Sequence, residues 1–134
     1  MATFMTTGIN QSPTYIVEAG AEIADVRGIG IALDDSGKAV LPSVGAVVIG
    51  IGILTAGDPD GKVAAGDKFE VQIKDIGVCK VSAPITAGAA VTVTAEGTLA
   101  PAASGNFIIG YAMKSAAAAG QMIPVQITKS GYSA

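Results

Sequence analysis

Few side chains in this sequence could do chemistry, and they are poorly grouped. Histidine is absent from all 134 residues, which removes the commonest general base, the neutral-pH switch and the usual zinc ligand together. Serine-triad, thiol–imidazole and zinc-hydrolase chemistries are excluded in their ordinary forms, and no enzymatic activity is expected. The single cysteine, Cys79, has no partner for an intramolecular disulfide and lies in Ile76-Gly77-Val78-Cys79-Lys80-Val81, where a packed structural thiol is the expectation. Asp58-Pro59-Asp60-Gly61 spaces two carboxylates as a calcium loop begins, but Lys62 and Val63 follow where further oxygen ligands are needed, so a solvated turn is expected. Asp34-Asp35 is a second pair whose members point apart on a strand and are both solvated in a turn. Gly28-Ile29-Gly30 lacks the third glycine and the long helix of a dinucleotide loop and reads as a glycine-bent strand. Neither a metal site nor a cofactor site is expected.

The elements that must carry these residues are built from small side chains. There are 24 alanines and 18 glycines, and only six aromatic residues, Phe4, Tyr15, Phe69, Phe107, Tyr111 and Tyr132. A core of this composition is thin, because each small side chain contributes less than the roughly 1.5–3 kcal/mol of a buried Leu or Phe. Association with other subunits is therefore expected. The net charge of −3 and the absence of any Lys/Arg run argue against nucleic acid. The opening Met1-Ala2-Thr3-Phe4-Met5 lacks the basic start of a secretory signal. Residues 39–57 form an uncharged stretch of membrane-spanning length, but Pro42 and Gly45, Gly50, Gly52 and Gly57 among Val and Ile fit bent, buried strands rather than a helix. No membrane partner is expected.

A period of two is the clearest local signal. Phe69-Glu70-Val71-Gln72-Ile73-Lys74 alternates strictly, and so do Val91-Thr92-Val93-Thr94 and Ile123-Pro124-Val125-Gln126-Ile127-Thr128. Pro124 cannot donate to a ladder, which predicts an edge or a strand start there. Turn residues at Asp34-Asp35-Ser36-Gly37, Gly57-Asp58-Pro59-Asp60-Gly61, Ala95-Glu96-Gly97 and Ser104-Gly105-Asn106 divide the chain. Strands are predicted near 14–18, 28–33, 38–41, 46–54, 69–74, 76–82, 90–94, 98–100, 107–113 and 121–128. The fold class is all-β, a compact Gly/Ala-rich barrel or sandwich of short strands with at most one short helix, at Ser115 to Ala119. The chain also echoes itself. Ile49-Gly50-Ile51-Gly52-Ile53 leads through Ala64-Ala65-Gly66-Asp67 to Val71-Gln72-Ile73, as Ile109-Gly110-Tyr111-Ala112-Met113 leads through Ala118-Ala119-Gly120-Gln121 to Val125-Gln126-Ile127. This reads as a repeated hairpin module. Residues 14–134 form one β domain, and polar residues 1–13 suit an extended arm anchored by Phe4, Met5 and Ile9.

The order of Val63-Ala64-Ala65-Gly66-Asp67, Ile76-Gly77-Val78, Pro84-Ile85-Thr86-Ala87-Gly88, Glu96-Gly97, Ile108-Ile109-Gly110-Tyr111-Ala112, Ala116 to Gly120 and Val125-Gln126-Ile127 resembles the phage capsid decoration, or cement, proteins. The resemblance covers roughly residues 28 to 128. It implies an all-β structural protein of the bacteriophage virion, made in the host cytoplasm, that binds the outer face of the capsid and stabilises the head. Its implied partners are the major capsid protein and further copies of itself, as a homotrimer. Phe4, Met5, Ile9 and Tyr15 are the candidate capsid or subunit contacts. A second resemblance is to biotin carrier domains: Ala112-Met113-Lys114-Ser115 is similar to their modified turn, although Tyr111 and Ser115 depart from the pattern. On that alternative Lys114 carries the cofactor. A β-rich adhesion or assembly module is the third reading.

Overall fold

Every run of alternating residues becomes a strand. The computed structural model describes residues 12–53 and 59–134. Its first five strands are β1 (Thr14–Glu18), β2 (Gly30–Leu33), β3 (Ala39–Val40), β4 (Gly50–Ile53) and β5 (Lys68–Gln72). Then follow β6 (Asp75–Lys80), β7 (Ala90–Val93), β8 (Leu99–Pro101), β9 (Gly110–Ala112) and β10 (Met122–Ile127). The described residues contain no helix. In the alanine run, Ala116 instead forms a bridge with Ile85, and the Gln121 Oε1 accepts hydrogen bonds from the Ala117 and Ala118 N–H groups, holding the segment as a loop. The uncharged 39–57 stretch contributes β3 and β4, and no described helix is long and apolar enough to cross a membrane.

Two five-stranded antiparallel sheets result, ordered β1-β5-β4-β2-β3 and β6-β10-β9-β7-β8. The second order is the first moved on by five strands, so the chain is one topology used twice. The connections repeat as well. Ala19 makes a parallel bridge to Ala39 as Val81 does to Leu99, and Ile23 pairs with Val63 as Ile85 does with Ala116. The Gly66 N–H donates to Ala19 O, and the Gly120 N–H to Val81 O. Both glycines have left-handed φ, 93° and 91°, a conformation that a side chain disfavours. The repeated hairpin read from the sequence is thus the last part of a longer repeat. A single bridge joins the outer strands of each sheet, so neither closes into a barrel and the pair is sandwich-like.

One core lies on the first sheet, where Val17, Ile31, Phe69 and Val71 meet Ile23, Val26 and Val63 from the connections. The other lies on the second sheet around Cys79, Val91, Leu99, Ile109 and Val125, and it takes in Ala32, Val48 and Ile51 from the first half. Ile51 reaches it because Gly52 stands opposite Val71 while Ile51 stands opposite Gln72, on the other face of the sheet. Backbone contacts seal this junction between halves. The Lys80 N–H donates to Gly28 O at 2.7 Å, the Gly30 N–H to Gly97 O at 2.7 Å and the Gly45 N–H to Val93 O at 2.9 Å.

Pro124 differs from expectation. It stands within β10, between β6 and β9, rather than at an edge or a strand start. The position tolerates it because β9 pairs with β10 only from Val125 onward, so the missing donor falls past the end of that ladder, while Pro124 O still accepts from the Met113 N–H at 2.9 Å.

Candidate interaction surface

The structure gives the sequence's chemical candidates structural work. Cys79 is fully buried in the second core, its Sγ 3.9 Å from Gly97 O, and burial pushes its thiol up to about 12. Asp34 caps the β2–β3 turn, with its Oδ1 accepting from the Ser36 and Lys38 N–H groups. Asp58 lies outside the described residues. The Asp60 and Pro59 carbonyls accept from Arg27, whose guanidinium also pairs with Asp25 at 2.8 Å and holds that carboxyl below its usual range. Glu18 and Glu22 face Lys38 and Lys62 at 3.3 and 3.5 Å. No group of metal-ligating side chains occurs among the described residues. Lys114 is exposed just beyond β9, in the connection to β10 rather than at a tight turn.

Of the four predicted contacts, Phe4, Met5 and Ile9 lie outside the described residues. Tyr15 is on β1 opposite Val71, with its ring exposed. Thr14 follows Pro13, whose carbonyl accepts from the Ile73 N–H at 2.8 Å, and residues 1–11 of the proposed arm lie outside the described residues.

What the sequence reading missed is an apolar outer face on the second sheet. In β6 the small residues Gly77 and Cys79 turn inward while Ile76 and Val78 are exposed, the reverse of what residue size suggests. Gly77 faces inward beneath Ile51, where a Cβ would sit 2.9 Å from Ile51 Cδ1 and push it aside. Once Gly77 is fixed inward, the pleat sends Ile76 and Val78 outward. Register extends the face. Ile76 stands opposite Gln126, which stands opposite Tyr111, and Val78 stands opposite Pro124. Tyr111, Met113 and Met122 are exposed beside them. Where the two halves meet, Ile76, Val78 and Met122 line a groove of about 340 Å³ with Ile53, Gln72 and Arg27. Such a contiguous apolar surface suits binding to another macromolecule. It has a cation at one margin and places no reactive group at its centre.

A family model described as phage cement protein matches residues 50–127, from the start of β4 to the end of β10. No curated protein matches the chain. Among solved structures, the fold is similar to the crystal structure of the head fiber gp8.5 N base in bacteriophage phi29, with a TM-score of 0.63 and 17% sequence identity. That match covers 90% of this chain and 98% of the other.

Proposed function

This chain belongs to the phage cement protein family, and from that membership we propose that it binds the outer surface of an assembled phage head and stabilises it, supplying surface rather than a reacting group. The observation that supports the reading is the exposed apolar face of the second sheet, where Ile76, Val78 and Met122 are open to solvent, and on this proposal they meet the major capsid protein. Burying three such side chains contributes a few kcal/mol at about 25 cal/mol per Å², which is weak for one site. Copies held together at a point where several shell subunits meet bind far more tightly by effective concentration. A trimer matches a three-fold point of the shell. Phe4, Met5 and Ile9 add anchors from the N-terminal segment. The protein is then a component of the virion, made in the host cytoplasm and recruited after the shell forms.

Mixing the purified protein with undecorated heads and sedimenting them tests this. Saturable co-sedimentation is expected, and Val78→Asp weakens it at least tenfold without unfolding the chain. Heads that pellet without the wild-type protein at any concentration contradict the proposal.

A further inference from the structure

The second sheet has a long edge that nothing described covers. Edges are ordinarily blunted by short strands, proline or lysine. Of the two outer strands, β8 is three residues long and ends in Pro101, whereas β6 runs for six residues with no such residue before Lys80. The Lys80 N–H turns away from β10 and donates to Gly28 O at 2.7 Å. Backbone groups alternate in direction along a strand, so those of Ile76 and Val78 turn away from β10 as well. Pro124, which has no N–H, stands opposite Val78, as that arrangement allows. Among the described residues, no backbone group pairs with the Ile76 and Val78 N–H groups along this edge.

This edge lies over the outer face of the first sheet. A Cβ at Gly77 would stand 2.9 Å from Ile51 Cδ1 and 3.5 Å from Gln72 Cγ. Register carries the same face across to β1. Ile51 stands opposite Gln72 and Gln72 opposite Thr14, while Ile53 stands opposite Glu70 and Glu70 opposite Ile16. The groove between the halves is the gap between this face and the β6 edge, walled by Ile53, Gln72, Ile76, Val78 and Met122. Ile16, 63% exposed, continues the apolar surface towards the start of β1.

The chain enters the described fold at this place. Pro13 O accepts from the Ile73 N–H, and Thr14 lies one strand spacing, about 4.8 Å, from Gln72. Residues 1–11 precede it and lie outside the described residues. Fully extended, they reach about 36 Å at about 3.3 Å each, more than the roughly 20 Å of β6. Their sequence, Met1-Ala2-Thr3-Phe4-Met5-Thr6-Thr7-Gly8-Ile9-Asn10-Gln11, has no charged side chain, and its threonines, Phe4 and Ile9 are types that favour strands.

We propose that this N-terminal segment folds back and adds as a further strand along the free edge of β6, with Phe4, Met5 and Ile9 supplying the side chains that fill the groove. The occupant is the chain's own segment because it starts beside the groove, is long enough to run the length of β6 and brings no charged side chain into an apolar cleft. Strand addition gains main-chain hydrogen bonds from the edge and specificity from the pocket that alternate side chains enter. The tether raises the effective concentration of this strand above that of any outside competitor. Docked there, Phe4, Met5 and Ile9 join Ile76, Val78 and Met122 in one surface. The inference concerns the free chain and stands whether or not the protein binds a head.

Amide hydrogen exchange on the full chain, compared with its Ile9→Asp variant, tests it. The Ile76 and Val78 amides are expected to exchange about tenfold more slowly in the wild type than in the variant, with the Gly105 amide, bonded to Ser133 O, unchanged. A nitroxide on Met5→Cys identifies the occupant, since buried Cys79 takes no label. The amide signals of Ile53, Ile76 and Val78 are expected to broaden at every dilution. Equal exchange rates in the two proteins, or sharp signals for those three amides, overturn the proposal. Broadening of an isotope-labelled chain by the nitroxide on a separate, unlabelled chain assigns the groove to a second copy and overturns it too.

Discussion

Burial of Cys79 ties the stability of the fold to alkaline pH. Its thiol stands near 12 in the folded chain against an ordinary 9.0, so the unfolded chain loses the proton first. The stabilisation is complete below about pH 9 and declines by up to about 1.4 kcal/mol per pH unit as pH rises towards 12. Denaturant melts at pH 8, 10 and 11 should show a steeper alkaline loss for the wild type than for Cys79→Ala, and parallel slopes would contradict this. A native thiol this deep should also resist alkylation at pH 8 until denaturant is added. Gly110 faces a different constraint, because a Cβ there would run into the Gln126 carbonyl and crowd Val125 Cγ1 at 3.1 Å. Gly110→Ala is expected to cost about 1–3 kcal/mol by overpacking. Gly105→Ala meets open space and costs about 1 kcal/mol through its φ of 83° alone. Equal losses in urea titrations would place the strain elsewhere. At Lys114, expression with a biotin ligase should leave the intact mass unchanged, and an adduct there would revive the carrier reading.

Strands were the most legible elements, because alternation in Phe69-Glu70-Val71-Gln72 and Val91-Thr92-Val93 is set by the pleat alone. Part of the repeat was legible too, where Val-Gln-Ile and a left-handed glycine recur. The earlier part was not. Asp34-Asp35-Ser36-Gly37 and Thr94-Ala95-Glu96-Gly97 share a turn but few side chains, and their equivalence appears only through pairing across the sheet. The apolar outer face was illegible for a related reason. Which face of Ile76-Gly77-Val78-Cys79 is inside depends on Ile51, which is distant in sequence and joins the second core from the first half. Pro124 was misjudged because the early end of β9 was not visible. Two predictions belong to this scale. Asp67 Oδ2 accepts from the Ala64 N–H at 2.9 Å, as Gln121 does from Ala117 in the second half. Asp67→Ala and Gln121→Ala should therefore each cost about 0.5–1.5 kcal/mol in urea unfolding. Removing residues 1–13 should leave a folded body with an unchanged β-type circular dichroism spectrum, since the described ladder of β1 starts at Thr14, and among the described residues the cut removes the Ile73 N–H bond to Pro13 O and the local bonds of Ser12 Oγ to Thr14. Unfolding on that deletion would make the segment an integral strand.

Across the whole molecule, duplication explains how a chain with so few large side chains holds together. Each half builds a small core, and the first half covers the open end of the second. Among the described residues, Tyr15 and Leu33 on the first sheet and Ile76, Val78, Tyr111 and Met122 on the second are exposed, which suits a protein stabilised further by what it binds. The binding partner proposed for this surface is the outside of a phage head. Image reconstruction of undecorated heads, before and after saturation with the protein, tests it most directly. Added two-sheet density is expected on the outer surface at symmetry-related positions, with Ile76, Val78 and Met122 turned to the shell. An outer surface that stays bare at saturating protein would contradict it.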